Sequence, residues 1–580
     1  MKTCKQPTRP TPTARVGWAV AVPVLALCVE PGTAYAQHGL PYDEVSFFSP
    51  TDYGVGDFGV NMQVVDMNGD GFGDLVVSQA IAPVGAVGAA GKILILSGPT
   101  LAEVRQVHSQ VPTFSANLAK NGFEIADANG DGFLDILAGS PGYDAGGDWQ
   151  TDIGRAHLFL GPEFTTDIVF DDPEPEPGAR FGSDVALGDL DGDGLMEVIV
   201  GAPEKSRPWG AATLVNAGQV WVWSGANLAG TPVQLVQPKP QGGGRFGASL
   251  TVLDVREQPG VHDVLVAAPG WFLSQVQVWK QGRLYRYAGS SLHFLTALDD
   301  PILPLTAYGG YGYFVGQRDV NGDGILDLFV AAFHNQARAT IQLGPDYTTS
   351  WKAFSNNTSN YAKWATWSDL NRDGFVDVLL YSGSTSVHVW WGPNFTSIET
   401  LSPTEFSGAP VGFGNGLGTG DVDGDGYDEI FVRSIAGFSG GMVTKFRRRS
   451  LTALSEQLSI SAGDTVNFRV DLPPDLAGSS YIALLSLSDP GEGLVLAPGS
   501  WLPLFPDGMT WMGMSLLGTP ILPNFTGTLD AQGDTVFSLA WPAGKGAGLA
   551  GQTLRVTLLT ESLSGGPGPG TNSVTVELLP

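Results

Sequence analysis

The chain has 580 residues, with 79 glycines, 40 prolines and 43% hydrophobic residues, a balance that excludes a disordered chain and points to many short strands joined by turns. Lys and Arg number 30 against 58 Asp and Glu, a formal charge of −28, which argues against nucleic acid as a partner.

The N-terminus reads as an export signal. Lys2, Lys5, Arg9 and Arg15 precede an apolar run from Val16 to Val29, and Ala34-Tyr35-Ala36 has the small-x-small pattern of a cleavage site. Cleavage after Ala36 is expected, making 1–36 a signal peptide and the mature protein secreted or held at the cell surface. The apolar run is shorter than the ~20 residues that span a bilayer, and no later segment is long enough, so no transmembrane segment is expected. Both cysteines, Cys4 and Cys28, lie in the removed segment, so any cross-linking of the mature chain falls to metal ions. Its formal charge becomes −31, because 1–36 carries four basic residues and one acidic.

An Asp-rich loop then recurs along the chain. Its clearest copy, Asp189-x-Asp191-x-Asp193-x-Leu195-x-Glu197, sets oxygen-bearing side chains at positions 1, 3, 5 and 9. Glycines at 192 and 194 permit the tight turn, and the carbonyl of Leu195 supplies position 7. The other copies are Asp66, Asn68, Asp70, Phe72 and Asp74; Asp127, Asn129, Asp131, Phe133 and Asp135; Asp319, Asn321, Asp323, Ile325 and Asp327; Asp369, Asn371, Asp373, Phe375 and Asp377; and Asp421, Asp423, Asp425, Tyr427 and Glu429. Calcium, a hard cation that takes six to eight oxygens, fits this donor set; with no nitrogen or sulfur offered, zinc and copper do not. Acidic turns alone would be the bland reading. It fails on spacing, and on the mutual repulsion of twenty carboxylates at ligand positions that no cation neutralises. About six Ca2+ sites are expected.

The loops start 50 to 62 residues apart except for one interval of 130, which hides a repeat without a cage. Its flanks are Arg245 to Ser249 and Val264 to Pro269, around a loop from Asp254 to Asp263. Each unit has an apolar run, the loop, and further runs that often end in Gly-Pro. Four short strands repeated seven times predict a β-propeller, with Glu44 to Phe48 as an outer strand beside Met442 to Phe446 in the last blade. From about Ser450 an alternating pattern such as Val466, Phe468, Val470 and Leu472 suits a β-sandwich. The expected fold is thus all-β: a seven-bladed β-propeller over 37–449 followed by a C-terminal β-sandwich over 450–580. The basic stretch Lys445 to Arg449 reads as a solvated linker.

Phe181-Gly182 and Gly201-Ala202-Pro203 around a calcium loop resemble the FG-GAP repeats of integrin α-subunit propellers, and Phe58-Gly59, Phe246-Gly247 and Phe413-Gly414 repeat the first dipeptide. The resemblance implies calcium loops on one face of a disc and partners on the opposite face or the rim.

Other motifs carry little. Gly437 to Gly441 matches a nucleophile elbow without the helix that should follow, and Gly54 to Gly59 matches a dinucleotide fingerprint that leads into a strand. His157 and His388 read as packed or solvated. Tyr143, Trp149 and Trp209, on long loops after second strands, are the candidate partner-binding residues, with packing between blades as the alternative for each. The chain therefore reads as an exported calcium-binding adhesion or ligand-binding module for an extracellular protein or polysaccharide, and not as an enzyme. A calcium-dependent polysaccharide lyase or hydrolase and a structural surface-layer component are the alternatives. Oligomeric state is not readable.

Overall fold

A computed structural model describes residues 42–580 apart from 50–56, 146–150, 255–260, 273–280, 303–308, 333–336, 349, 356–360, 373, 384–385, 397, 403–411, 425, 437–439, 449–450, 456, 473–475, 489–493, 498–499, 503, 505, 532, 546, 562–566 and 571–573. The expected signal segment, Trp149, Asp373, Asp425 and most of the two rejected glycine motifs lie outside the described residues.

The runs of each repeat form an antiparallel four-stranded sheet, and the described residues hold seven such sheets. In the first sheet the strands are Phe58–Val65, Asp74–Gln79, Lys92–Ser97 and Glu103–Val107, in that order. The second strand is buried along its whole length. Both its faces meet neighbouring sheets, which is why Leu75-Val76-Val77 reads as a continuous apolar run instead of alternating. One apolar cluster joins Val76 and Ile95 of the first sheet to Ile136 and Phe159 of the second. Similar clusters join the second to the third, the third to the fourth, the fourth to the fifth and the fifth to the sixth. Thr366 of the sixth and Thr419 of the seventh meet at 3.3 Å through their hydroxyls.

Phe431 and Val443 of the seventh sheet pack on Leu75 and Leu94 of the first, so the ring closes. This is a β-propeller, in which radial closure protects the sheet edges. The seventh sheet is itself composite. Tyr42–Phe48 pairs antiparallel with Gly440–Arg448, with Glu44 opposite Phe446 and Phe48 opposite Met442, the outer-strand pairing expected from the sequence. Lys445 and Arg447 therefore belong to a strand, not a linker; the third strand simply runs on past the point where other repeats turn.

The Phe-Gly and Gly-Ala-Pro residues are explained by this packing. A Cβ on Gly201 would lie 2.3 Å from the carbonyl oxygen of Gly247, and one on Gly139 would lie 1.8 Å from that of Gly182. Only glycine lets adjacent sheets approach this closely. Phe181 is fully buried beside it, edge-on to Trp223 at 6.0 Å between ring centres.

After the ring, Leu451–Ala453, Asp464–Asp471 and Asp534–Trp541 form one sheet, and a six-stranded sheet is centred on Thr553–Glu561. They share one core: Phe468 stacks on Phe537 at 4.9 Å, and both lie in a cluster with Leu485, Val556 and Val576. An eight-residue helix, Gly508–Ser515, is capped by Asp507, whose carboxylate accepts from the Met509 and Thr510 amides while the Thr510 hydroxyl accepts from the Asp507 amide.

Candidate metal centres and the opposite face

Each Asp-rich loop links a first strand to a second, and neighbouring loops touch. The Gly73 amide donates to the Asp421 carbonyl at 3.1 Å, Met196 to Ala128 at 3.0 Å and His262 to Asp189 at 2.8 Å. These bonds run between loops of adjacent sheets, so the loops share one face of the ring.

Within a loop the side chains organise the backbone. Asp189 Oδ1 accepts from the Gly192 amide at 2.6 Å and Oδ2 from the Gly194 amide at 2.9 Å, while Asp193 Oδ1 accepts from Leu195 at 2.9 Å. Gly192 and Gly194 sit at φ +82° and +86°, a left-handed turn that a side chain would strain. The same pattern holds Asp66 to Gly69 and Gly71, Asp127 to Gly130 and Gly132, and Asp319 to Gly322 and Gly324. Carboxylate oxygens of Asp189, Asp191 and Glu197 converge within 4.8 Å of one another, as do those of Asp421, Asp423 and Glu429. Such oxygen-only clusters can hold a hard divalent cation.

The residue at position 9 has a second role that spacing alone did not reveal. Asp135 accepts from the Ala128 amide with one oxygen at 2.9 Å and from the Gly161 amide with the other at 2.8 Å. It thereby ties the start of its loop to the Gly161-Pro162 turn after the third strand. Asp74, Glu197, Asp327 and Asp377 make the same pair of bonds, to Met67 and Gly98, Leu190 and Gly225, Val320 and Gly344, and Leu370 and Gly392. Burial pushes the carboxyls of Asp74, Asp135, Glu197 and Asp327 above the usual range, Asp74 to about 6, against the opposing pull of the two amides. A carboxylate this enclosed is a strong incentive to recruit positive charge.

Two loops depart from the pattern. In the fourth sheet Asp263 stands at the second-strand position, accepts from the Gly289 amide at 3.1 Å, and is met by Arg286 Nε at 2.7 Å. An arginine supplies there the charge that a cation could supply elsewhere. In the seventh, Arg447 Nε lies 2.7 Å from Asp423 Oδ2 and 3.8 Å from Glu429 Oε1, so a guanidinium shares the space between candidate ligands.

On the opposite face, Trp209 tips a hairpin of Arg207–Trp209 and Ala212–Leu214 and is 54% exposed. Tyr143 is half-buried, its ring covered by the Arg155 guanidinium at 3.8 Å. These two are not drawn together in any contact among the described residues. His157 is packed, with Nδ1 2.8 Å from Asp167 Oδ1 and its ring on Phe159, and burial lowers the affinity of His388 for a proton. Sequence reasoning missed a cavity of about 1160 Å³ on the ring axis, which opens on this same face. First strands of several sheets line it, bringing Glu124, Asp184, Tyr313, Arg318, Lys363 and Trp364 around one space.

Comparison with known proteins follows the repeats. The family model described as FG-GAP repeat matches residues 181–223, and that described as FG-GAP-like repeat matches 319–380 and 369–432. Human phosphatidylinositol-glycan-specific phospholipase D is 32% identical over 167 residues, 27% of this chain and 19% of that protein. Integrin alpha-4 of Xenopus laevis is 27% identical over 227 residues, 36% of this chain and 19% of the relative. Human integrin alpha-7 is 32% identical over 166 residues, covering 27% and 12%. The chain thus spans about a fifth or less of the length of these relatives. The expectation that the chain is not an enzyme is corrected by the first of them: a stretch of an enzyme is as similar to this chain as a stretch of an integrin is, so the similarity does not separate binding from catalysis. Among the described residues no helix is long and apolar enough to cross a membrane.

Proposed function

We propose that this FG-GAP repeat protein, with its integrin α-like propeller, is an exported calcium-binding adhesion or ligand-binding module. Calcium occupies the loop face in about six sites, and an extracellular protein or polysaccharide ligand is held on the opposite face. In this reading 1–36 is the signal peptide, removed after Ala36, 37–449 is a seven-bladed propeller, and 450–580 is a β-sandwich domain. The observation that carries the calcium assignment is the repetition of one oxygen cradle, with Asp189, Asp191 and Glu197 converging within 4.8 Å in the clearest copy. Integrin α relatives support the adhesive role, and the aromatic Trp209 hairpin on the face away from the loops supports the choice of face.

Extracellular calcium modules bind at ~10⁻⁴ to 10⁻³ M, so at about 1 mM calcium each site adds roughly 0.4 to 1.4 kcal/mol. Thermal unfolding of the protein lacking 1–36 should therefore shift down on chelation, while calorimetric titration returns several sites per chain. An unfolding temperature indifferent to calcium sinks the assignment.

A further inference from the structure

The axial cavity has a chemistry that the calcium loops and the rim aromatics leave unused. Its volume, about 1160 Å³, exceeds the ~300–1000 Å³ of common small-molecule sites, so it accepts a ligand of several rings. The charge on its wall is close to balanced. Two arginines are already matched: Arg180 lies 3.2 Å from Asp152 and 3.9 Å from Glu204, and Arg245 lies 3.1 Å from Glu204. Four further groups line the space, the cations of Lys120 and Arg318 and the carboxyls of Glu124 and Asp184, and none has an opposite charge within 4 Å among the described residues. Lys363 adds a cation engaged with the Trp364 ring, 4.2 Å from its centre. A chain of charge −28 thus encloses a space of no marked sign.

The uncommitted polar groups run in both hydrogen-bonding directions. Arg318 and Lys120 are exposed donors. Glu124 is exposed as well, and the Asp184 carboxyl accepts from the Leu250 amide at 2.7 Å. Gln317 Oε1 lies buried without a donor among the described residues, an acceptor left for a ligand. The side-chain amides of Asn61 and Asn121 are committed by contrast, donating to the carbonyls of Ala119 and Ser183 at 2.8 and 2.9 Å and so clasping the next sheet. Tyr313, on the same wall and 39% exposed, offers a flat aromatic ring.

A ligand of one sign finds repulsion as well as attraction on this wall. An anion drawn to Arg318 or Lys120 shares the space with Glu124 and Asp184, and a cation drawn to those carboxyls shares it with the two bases. A hydroxyl suits both kinds of group, because it accepts from a guanidinium or ammonium and donates to a carboxylate, and it pairs equally with a protonated carboxyl. Rings that carry hydroxyls at their edge and C–H groups on their face also match the exposed face of Tyr313. We propose that the axial cavity binds a neutral oligosaccharide, its hydroxyls on Arg318, Glu124 and Gln317 and a sugar ring against Tyr313. This rests on the reading that ligands enter from the face opposite the calcium loops, and it names the ligand class for that face.

The protein lacking 1–36, in calcium, would be titrated calorimetrically with a panel of neutral hexaoses of glucose, mannose and galactose, with an oligogalacturonate of equal length and with a hexapeptide bearing free termini. At least one neutral hexaose is expected to bind, and the oligogalacturonate and the peptide to bind at least about 10-fold more weakly, a modest share of what like charges in apposition cost. Arg318→Gln should weaken the neutral ligand by about 10-fold, the scale of one charge-assisted hydrogen bond. Tyr313→Ala should weaken it by a similar factor, while Tyr313→Phe, which keeps the ring, should retain most of the affinity. Because Arg318 adjoins Asp319, calcium stoichiometry is measured on every variant, and the Tyr313 pair, farther from the loop, provides the independent check. Failure of every neutral hexaose, a charged probe that binds as well as the neutral ones, or variants indistinguishable from the parent would each overturn the proposal. Should the protein still bind cells or matrix through Trp209 in that case, the cavity assignment fails while the choice of face stands.

Discussion

The two functions combined in the Asp-rich loops can be pulled apart with two neighbouring substitutions, Asp135→Ala and Asp131→Ala. Asp135 is fully buried, and its oxygens satisfy the Ala128 amide at 2.9 Å and the Gly161 amide at 2.8 Å. Removing them strands one buried N–H and one half-buried N–H, each worth about 1–3 kcal/mol when left without an acceptor. Part of that loss is returned, because burial raises the Asp135 carboxyl and the charged form is disfavoured where it sits. A net cost of about 1–3 kcal/mol remains without any metal. Asp131 is exposed and, among the described residues, accepts from the Phe133 amide and Asn129, groups that water can satisfy, so its loss in chelator should stay within about 0.5 kcal/mol. In about 1 mM calcium both variants should lose a further 0.4 to 1.4 kcal/mol or so, the worth of one site.

The assay is unfolding followed by tryptophan fluorescence in calcium and in EDTA, reading the propeller transition separately from any C-terminal one, since a chain of this size need not unfold in one step. The expected result is a large Asp135→Ala deficit that persists in EDTA beside an Asp131→Ala deficit that vanishes. If Asp135→Ala and the parent unfold together in EDTA, the position-9 carboxylate is a ligand only and its bridging role is wrong.

In the fourth sheet, Arg286→Ala should cost up to about 3 kcal/mol by leaving the buried Asp263 carboxylate without its counter-charge, and added calcium should not recover it; recovery would mean a cation site exists there after all. Calcium titration should resolve a weaker seventh loop, because Arg447 already lies 2.7 Å from Asp423, and Arg447→Gln should tighten that class of site; an unchanged isotherm refutes the competition. Glu124→Gln is expected to stabilise the protein increasingly as pH rises. With its folded value lifted from 4.5 to about 8, Glu124 contributes stability that is whole below 4.5 and gone above about 8, and glutamine suffers no such loss, so a gap between the two melting curves that is flat with pH would contradict the assignment.

The loops were legible because their pattern is local: every candidate ligand lies within nine residues, and Asp189, Asp191, Asp193 and Glu197 stand in order. The outer strand at Tyr42–Phe48 was legible because a ring must close and an apolar run was available to close it. The close approach of Gly201 to Gly247 was also open to reading, since glycine inside an apolar strand commonly marks a neighbouring backbone. The bridge from Asp135 to Gly161 was hidden by its separation of 26 residues, and the axial cavity by separations of hundreds, since Glu124 and Lys363 meet one space only once the ring has formed.

The fourth repeat connects what was read with what was missed. Its loop has lost the ligand spacing, yet Asp263 is still buried at the second-strand position and still accepts from the turn amide at Gly289. What changed is the source of positive charge, now Arg286 at 2.7 Å. If the cation served only to shape the loop, a repeat without the loop would have no use for an acid at the base of its second strand. The acid persists because it ties that strand to the turn after the third, and the cation or the arginine is what makes its burial tolerable. A metal ion held in these repeats would answer a need set by how the sheets are tied together, a need that a single arginine meets in the fourth.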